Sequence, residues 1–224
     1  LRYDMLVNCT PLCSVPADIV LEKNSFRASK EYKTVFPKPY SETTQANLFE
    51  TVKPPSKWLM GKTFCVFDVE TTGTDTNTCK IIEIAAVKVT DGVIKQTFST
   101  FVNPHEHIDE RITQLTSITD ADVADAPEIE KVLPDFYKFS ENTVLVGHNV
   151  SFDIGFINAA GKNINIYFDN PREDTLELSR RYIKGLRNYK LGTVLKSLGL
   201  VNEQAHRAIY DTIATAKAFI KIAD

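Results

Sequence analysis

Long apolar runs are missing from the 224 residues, and no segment reads as a membrane-spanning helix. The opening stretch, LRYDMLVNCTPLCSVPADIVLEKN, lacks a basic start and a clean apolar core, so it does not read as a signal peptide. The chain starts at Leu1 rather than Met and is read as a piece of a longer polypeptide or a processed form. Cysteine is scarce. Cys9 and Cys13 stand in a C-x3-C spacing with no second Cys or His pair to complete a structural zinc site, and Cys65 lies in an apolar run. So few thiols fit a reducing, cytoplasmic compartment. Excess charge is also missing. A net charge of −3 argues against a protein held on nucleic acid by bulk electrostatics. It leaves room for a nuclease, because cations bound to carboxylates reverse the local sign.

Glycine and proline are unevenly placed. Six of the ten prolines fall in the first 60 residues (Pro11, Pro16, Pro37, Pro39, Pro54 and Pro55). Residues 35–60 therefore read as a Pro-rich linker or extended arm, and 1–34 as the end of an upstream domain. From 61 to 224 the pattern is regular. Residues 62–70 form an apolar strand, and KIIEIAAVKVTDGVIKQTFSTFVNP reads as two strands joined at Asp91-Gly92, a good hairpin turn. Helical spacing with polar breaks follows over ITQLTSITDADVADAPEIEKVLPDFYKFSE. NTVLVGHN is a short strand, and a helix begins directly after it. DTLELSRRYIKGL and KLGTVLKSLGL are further helices. The closing helix carries Ile209, Ile213, Ala216 and Ile220 on one face. The order predicts an α/β fold, a mixed central sheet flanked by helices, with an N-terminal arm.

What is present, and out of place, is acid. In FDVETTG, Asp68 and Glu70 are two residues apart in a strand and so share a face. A solvent-facing strand edge would also do this, but Cys65-Val66-Phe67 gives little sign of a solvent face. Two shielded carboxylates repel, one tends to protonate, and a divalent cation removes the conflict. Gly73 would let the chain turn sharply after the strand. Asp153, in GHNVSFDIGF, sits where a helix starts; alone it reads as an acid favoured by the helix dipole. Asp211 lies in the last helix, five residues after His206; alone it reads as an exposed helical acid.

Taken together, a D-x-E strand, an F-D after G-H-N and an H-x4-D at the last helix resemble the DEDDh 3′–5′ exonuclease superfamily over residues 62–223. FDVETTG, IIEIAAVKV, FVNP, GHNVSFDIGF and HRAIYDTIAT carry the resemblance. Within the superfamily, HRAIYDTIAT and DTLELSR look most like the proofreading exonuclease domain of PolC-type bacterial replicative polymerases. One departure is Ser117 in LTSIT, where the family usually has Gly; Ser fits if the backbone there avoids φ > 0.

The resemblance implies a ribonuclease H-like fold and a two-metal hydrolysis at DNA 3′ ends releasing nucleoside 5′-monophosphates. Asp68, Glu70, Asp153 and Asp211 would hold two divalent cations, Mg²⁺ or Mn²⁺, both of which prefer oxygen ligands. His206 would be the general base, since imidazole exchanges protons near neutral pH. Thr71, Thr72 and Gly73 would receive the terminal nucleotide. Phe152 would stack on its base or pack its own helix, and Glu83 would bind a sugar hydroxyl or face solvent. His148 and Asn149 are assigned to the turn before Asp153. Seven basic residues between 172 and 196, against three acids, would guide a single strand or simply form a solvated face. The implied partners are a single-stranded DNA 3′ end and a polymerase subunit or domain, with no membrane.

GKT at 61–63 lacks the upstream glycine of a phosphate-binding loop and precedes a strand, so it is rejected. HEH at 105–107 has no third ligand and is read as a loop. QANLF, in the Pro-rich arm, is similar to peptides that dock bacterial replication proteins on the sliding clamp. Gln45 would be the polar reader and Leu48 and Phe49 the pocket anchors; packing of the arm on the next domain is the alternative. Two other functions remain open: an RNA or general single-strand 3′ exonuclease, and a non-catalytic interaction module.

Overall fold

A computed structural model describes residues 56–202 and 204–224. The hairpin forms first in the chain. Strand β1 (Thr63–Thr71) pairs antiparallel with β2 (Ile81–Thr90), and β2 with β3 (Val93–Phe101). Asp91 and Gly92 both have positive φ, 51° and 74°, as a two-residue primed turn requires. Strand β4 (Val144–Gly147) adds parallel to the other side of β1, and β5 (Arg172–Asp174) adds parallel to β4, giving the order β3-β2-β1-β4-β5. The polar three-residue β5 was not expected from the sequence. It has no alternating pattern to betray it and rides on the edge of β4.

Helices cover both faces. The helices are α1 (Glu110–Thr116), α2 (Asp120–Val123), α3 (Ile129–Ser140), α4 (Val150–Gly161), α5 (Thr175–Tyr182), α6 (Leu191–Ser197) and α7 (Ala208–Ala223). The alternation of β1 sorts its side chains. Cys65, Phe67 and Val69 join a core with Leu133, Phe136 and Ile157 of α3 and α4. Phe64 and Val66 join a second core with Ala216 and Phe219 of α7. Burial pushes the Cys65 thiol up to about 12, so it behaves as a small hydrophobe. Phe219 and Ala216 are fully buried on α7, while Ile213 and Ile220 are only half-buried, so the buried stripe is rotated from the one the isoleucines suggest. Trp58 stacks on Phe64 and Phe219, with ring centroids 5.6 and 5.3 Å away, and Leu59 is fully buried. Trp58 and Leu59, ahead of residue 61, thus pack against the sheet and α7. Ser56 N–H donates to an Asp224 carboxylate oxygen at 3.3 Å, closing the two ends of this body on each other.

Ser117 corrects an expectation. It caps α1 at φ 61°, its N–H donating to Thr113, so serine here occupies the left-handed region. Gly161, at the end of α4, answers to space. A Cβ there would lie 2.3 Å from the Ile166 carbonyl oxygen, whose own N–H donates back to Gly161. Gly161→Ala is expected to cost roughly 2–3 kcal/mol, because the obstacle is backbone. Urea unfolding checks this; a midpoint unchanged from the parent would disprove the close approach.

Candidate metal centre

Strand β4 is shorter than β1 and, on β1, pairs only with Phe64, Cys65 and Val66. Beyond that point the β1 edge is left open, and the acids sit in the opened stretch. Continuing the alternation, Asp68 and Glu70 fall on the face that packs against α7. Asp211, in the first turn of α7, completes a group of three whose ligand oxygens all lie within 4.8 Å of one another. Asp153 comes from the first turn of α4 and is 4% exposed. Its Oδ1 accepts the Val69 N–H at 3.1 Å, on the strand edge that β4 leaves uncovered.

The electrostatics are those of acids waiting for a counter-charge. Burial, then the Asp153, Glu70, Asp211 and Glu83 carboxylates, hold Asp68 well above the usual carboxylate range. Glu70 is pushed up to about 8 by burial and by Glu83, Asp211 and Asp153, with Arg207 opposing. Burial raises Asp153 to about 7, against the Val69 N–H that favours its charged form. Asp211 is raised by burial, and opposed by the His206 N–H, the Asn202 amide and the His206 charge. Among the described residues, none of the ion pairs includes any of these four acids. An all-oxygen, multiply charged set with partial solvent access at Asp68, Glu70 and Asp211 fits hard divalent cations.

These displacements carry a stability consequence. A carboxyl pKa higher in the folded than in the unfolded chain means the folded chain binds more protons between the two values. Stability is then fullest below the unfolded value and is lost as pH rises through the folded one. For Glu70 and Asp153 that window runs from the ordinary 4.5 and 3.8 to about 8 and about 7. In chelator, the Tm is expected to fall by roughly 5–10 °C between pH 5 and pH 8, and divalent cation to restore more of it at pH 8 than at pH 5. Scanning calorimetry at the two pH values tests this; a metal-free Tm that rises toward pH 8 would contradict it.

The other sequence-predicted residues divide. His206 is exposed at φ 64° in the turn before α7, and its N–H donates to Asp211 Oδ2 at 2.8 Å. Thr71 Oγ1 donates to the Gly73 carbonyl, and the Thr72 hydroxyl donates to Glu106 while accepting the Lys80 N–H. Gly73 does not have positive φ. The chain bends there as expected, and a Cβ would meet Cys79 Sγ at 2.6 Å, so the glycine also answers to space. Phe152 packs beside the main core with its ring 5.0 Å from Phe156. Glu83 is 2% exposed and does not face solvent: its carboxylate accepts from Arg207 Nε and Nη2 and from the Ala208 N–H. His148 binds Thr175 Oγ1 and the Tyr189 carbonyl, holding the turn before Asp153. The seven basic residues from Arg172 to Lys196 are all exposed. His105 and His107 pair with Glu128 and Asp120 in a surface loop. Gln45, Leu48 and Phe49 lie outside the described residues.

Two contributors escaped the sequence reading. Asn202 donates to Asp211 Oδ1, and Arg207 grips Glu83. Arg207 stands next to His206 and so had a positional signal. Asn202, in a loop of no pattern, had none.

A mixed sheet whose central strand ends in an acid cluster, closed by an acid from α7, has the frame of a metal-dependent hydrolase. The family comparison agrees: a family model described as Exonuclease (RNase_T) matches residues 65–219, and the chain belongs to that family. It is an enzyme of the exonuclease class. Among relatives, it is 46% identical over 159 residues to the DNA polymerase III PolC-type of Caldanaerobacter subterraneus subsp. tengcongensis and 47% identical over 161 residues to that of Oceanobacillus iheyensis. Each match covers 71% of this chain, and the chain spans 11% of the length of each relative. Among solved structures, Exonuclease X in complex with 5′ overhanging duplex DNA is 32% identical with a TM-score of 0.60, covering 71% of this chain and 90% of that one. E. coli Exonuclease I in complex with a dT13 oligonucleotide shares the fold at 20% identity and a TM-score of 0.63, over 72% of this chain and 40% of that one.

Proposed function

We propose that the chain is the 3′–5′ proofreading exonuclease part of a PolC-type bacterial replicative polymerase, with residues 61–224 as the nuclease domain. The observation that carries this is the convergence of Asp68, Glu70 and Asp211 within 4.8 Å, with Asp153 of α4 bonded to the β1 edge at Val69. The PolC-type relatives supply the polymerase setting, and the DNA complex of Exonuclease X supports a DNA end as substrate.

Asp68, Glu70, Asp153 and Asp211 would hold Mg²⁺ or Mn²⁺. Bound there, divalent cations supply charge neutralisation at the scissile phosphate and a more acidic water. The chain's own residues do the rest. His206, exposed beside the cluster, takes the proton of the attacking water on its imidazole. Asp211 accepts the His206 backbone N–H and so ties the backbone that carries that base to the acids. The Thr71–Gly73 segment, held by its own hydroxyl bonds, lies at the end of β1 where a terminal nucleotide would rest. Water oxygen bonds to phosphorus, the bond to the 3′ oxygen breaks, and that oxygen leaves with a proton as the new 3′-hydroxyl.

The test is digestion of a 5′-labelled single-stranded DNA oligonucleotide with Mg²⁺ or Mn²⁺, with the matching RNA in parallel. A ladder shortening from the 3′ end, cation-dependent and faster on DNA, supports the proposal. Faster RNA shortening moves the reading to RNA trimming, and absence of cleavage of either by the folded, cation-supplied chain moves it to a non-catalytic module. The sliding-clamp reading of Gln45, Leu48 and Phe49 has its own test, a peptide of residues 41–53 titrated onto a clamp; without saturable binding it ends.

A further inference from the structure

Helix α7 carries Asp211 and begins two residues after His206, so its placement sets both. Two bonds tie it to β2. The Ala208 N–H donates to Glu83 at 3.0 Å, and Thr212 Oγ1 donates to the Ala85 carbonyl at 3.2 Å. Four helical residues advance about 6 Å and two strand residues about 6.6 Å, so both ties hold only with α7 running along β2 in step. Arg207 precedes the helix and makes no side-chain cap of its own. Its guanidinium instead grips Glu83 through Nε at 3.2 Å and Nη2 at 3.1 Å and lies over the Phe101 ring, 5.1 Å from the centroid. Glu83 stands opposite Glu70 in the β1–β2 register. The fork, the ring and the helix amide leave Glu83 and Arg207 one arrangement. A buried ion pair of this kind contributes little stability that apolar packing would not supply. Its two-pronged geometry fixes an angle, which apolar packing does not.

Resting on the reading of His206 as the general base, we propose that Glu83 and Arg207 are positioning residues. They lock the start of α7 so that the left-handed turn at His206 is held against Asp211 and turned toward Asp68 and Glu70. Neither touches substrate. A displacement of about 1 Å in such a group costs about 10²-fold in rate.

The test uses the whole chain and three variants. Arg207→Lys keeps the charge and loses the fork; Arg207→Met loses both. Glu83→Gln keeps an acceptor for the Ala208 N–H and loses the ion pair. The readouts are kcat and KM on a single-stranded DNA oligonucleotide with Mg²⁺, and hydrogen exchange of the His206 amide. Each variant that folds is expected to lower kcat about 10- to 100-fold with KM within about threefold, and to speed His206 exchange at least tenfold. A raised KM with unchanged kcat would make Arg207 a contact to the DNA backbone and overturn the proposal. So would a lower kcat without faster exchange, or no change in either. If the parent chain hydrolyses nothing, the functional reading fails by itself, and the exchange measurement still decides whether the lock exists.

Discussion

Asp68→Asn is expected to abolish hydrolysis and to stabilise the metal-free fold at the same time. Asn keeps the shape of the side chain and removes its charge. Bound divalent cations contribute several kcal/mol to the transition state, so loss of a central ligand should lower single-turnover cleavage by roughly 10³-fold or more. In chelator the sign reverses. Asp68 is the acid on which all four neighbours press, Asp153, Glu70, Asp211 and Glu83. Removing its charge relieves that repulsion, and a gain of about 1–2 kcal/mol would raise the Tm at pH 8 by about 3–6 °C. Calorimetry in chelator and a quenched-flow digestion, run on the same preparation, test both halves. A lower Tm with activity within tenfold of the parent would make Asp68 a structural residue and not a ligand.

His206→Asn is expected to separate chemistry from metal. Asn is chosen because residue 206 sits at φ 64°, where Asn is tolerated and a β-branched residue is not. Loss of a positioned general base costs about 10²- to 10⁴-fold in rate. Cation binding, measured by calorimetric titration, should stay within a few-fold, because the imidazole holds no cation in this scheme. His206→Gly, equally at ease at positive φ, should regain part of the rate when free imidazole is added. Cation binding lost together with activity would move His206 into the ligand set. A rate unchanged in both variants would take the base role from it.

The parts legible in the sequence were those with a period or a pattern of charge. The alternation in β1 placed Asp68 and Glu70 together, and the Asp91-Gly92 turn set the hairpin. The mixed sheet followed from the order of elements. Less was legible wherever tertiary contact overrides local preference. Ser117 takes a glycine conformation because it caps α1, which no local rule demands of serine. The three residues of β5 are strand only because β4 offers an edge. The burial of Glu83 is not legible, because the partner that covers it, Arg207, stands 124 positions away in the sequence. The bend at Gly73 is legible, but the sulfur of Cys79 lying against it is not.

The meeting of Ser56 with Asp224, and of Trp58 with Phe219, has an architectural consequence. A body whose two chain connections emerge side by side can be spliced into a host polypeptide as a cassette. The host need only open one surface loop, because Ser56 and Asp224 lie within hydrogen-bond reach of each other. Such a cassette tolerates exchange between hosts, because both of its joins fall at one place on its surface.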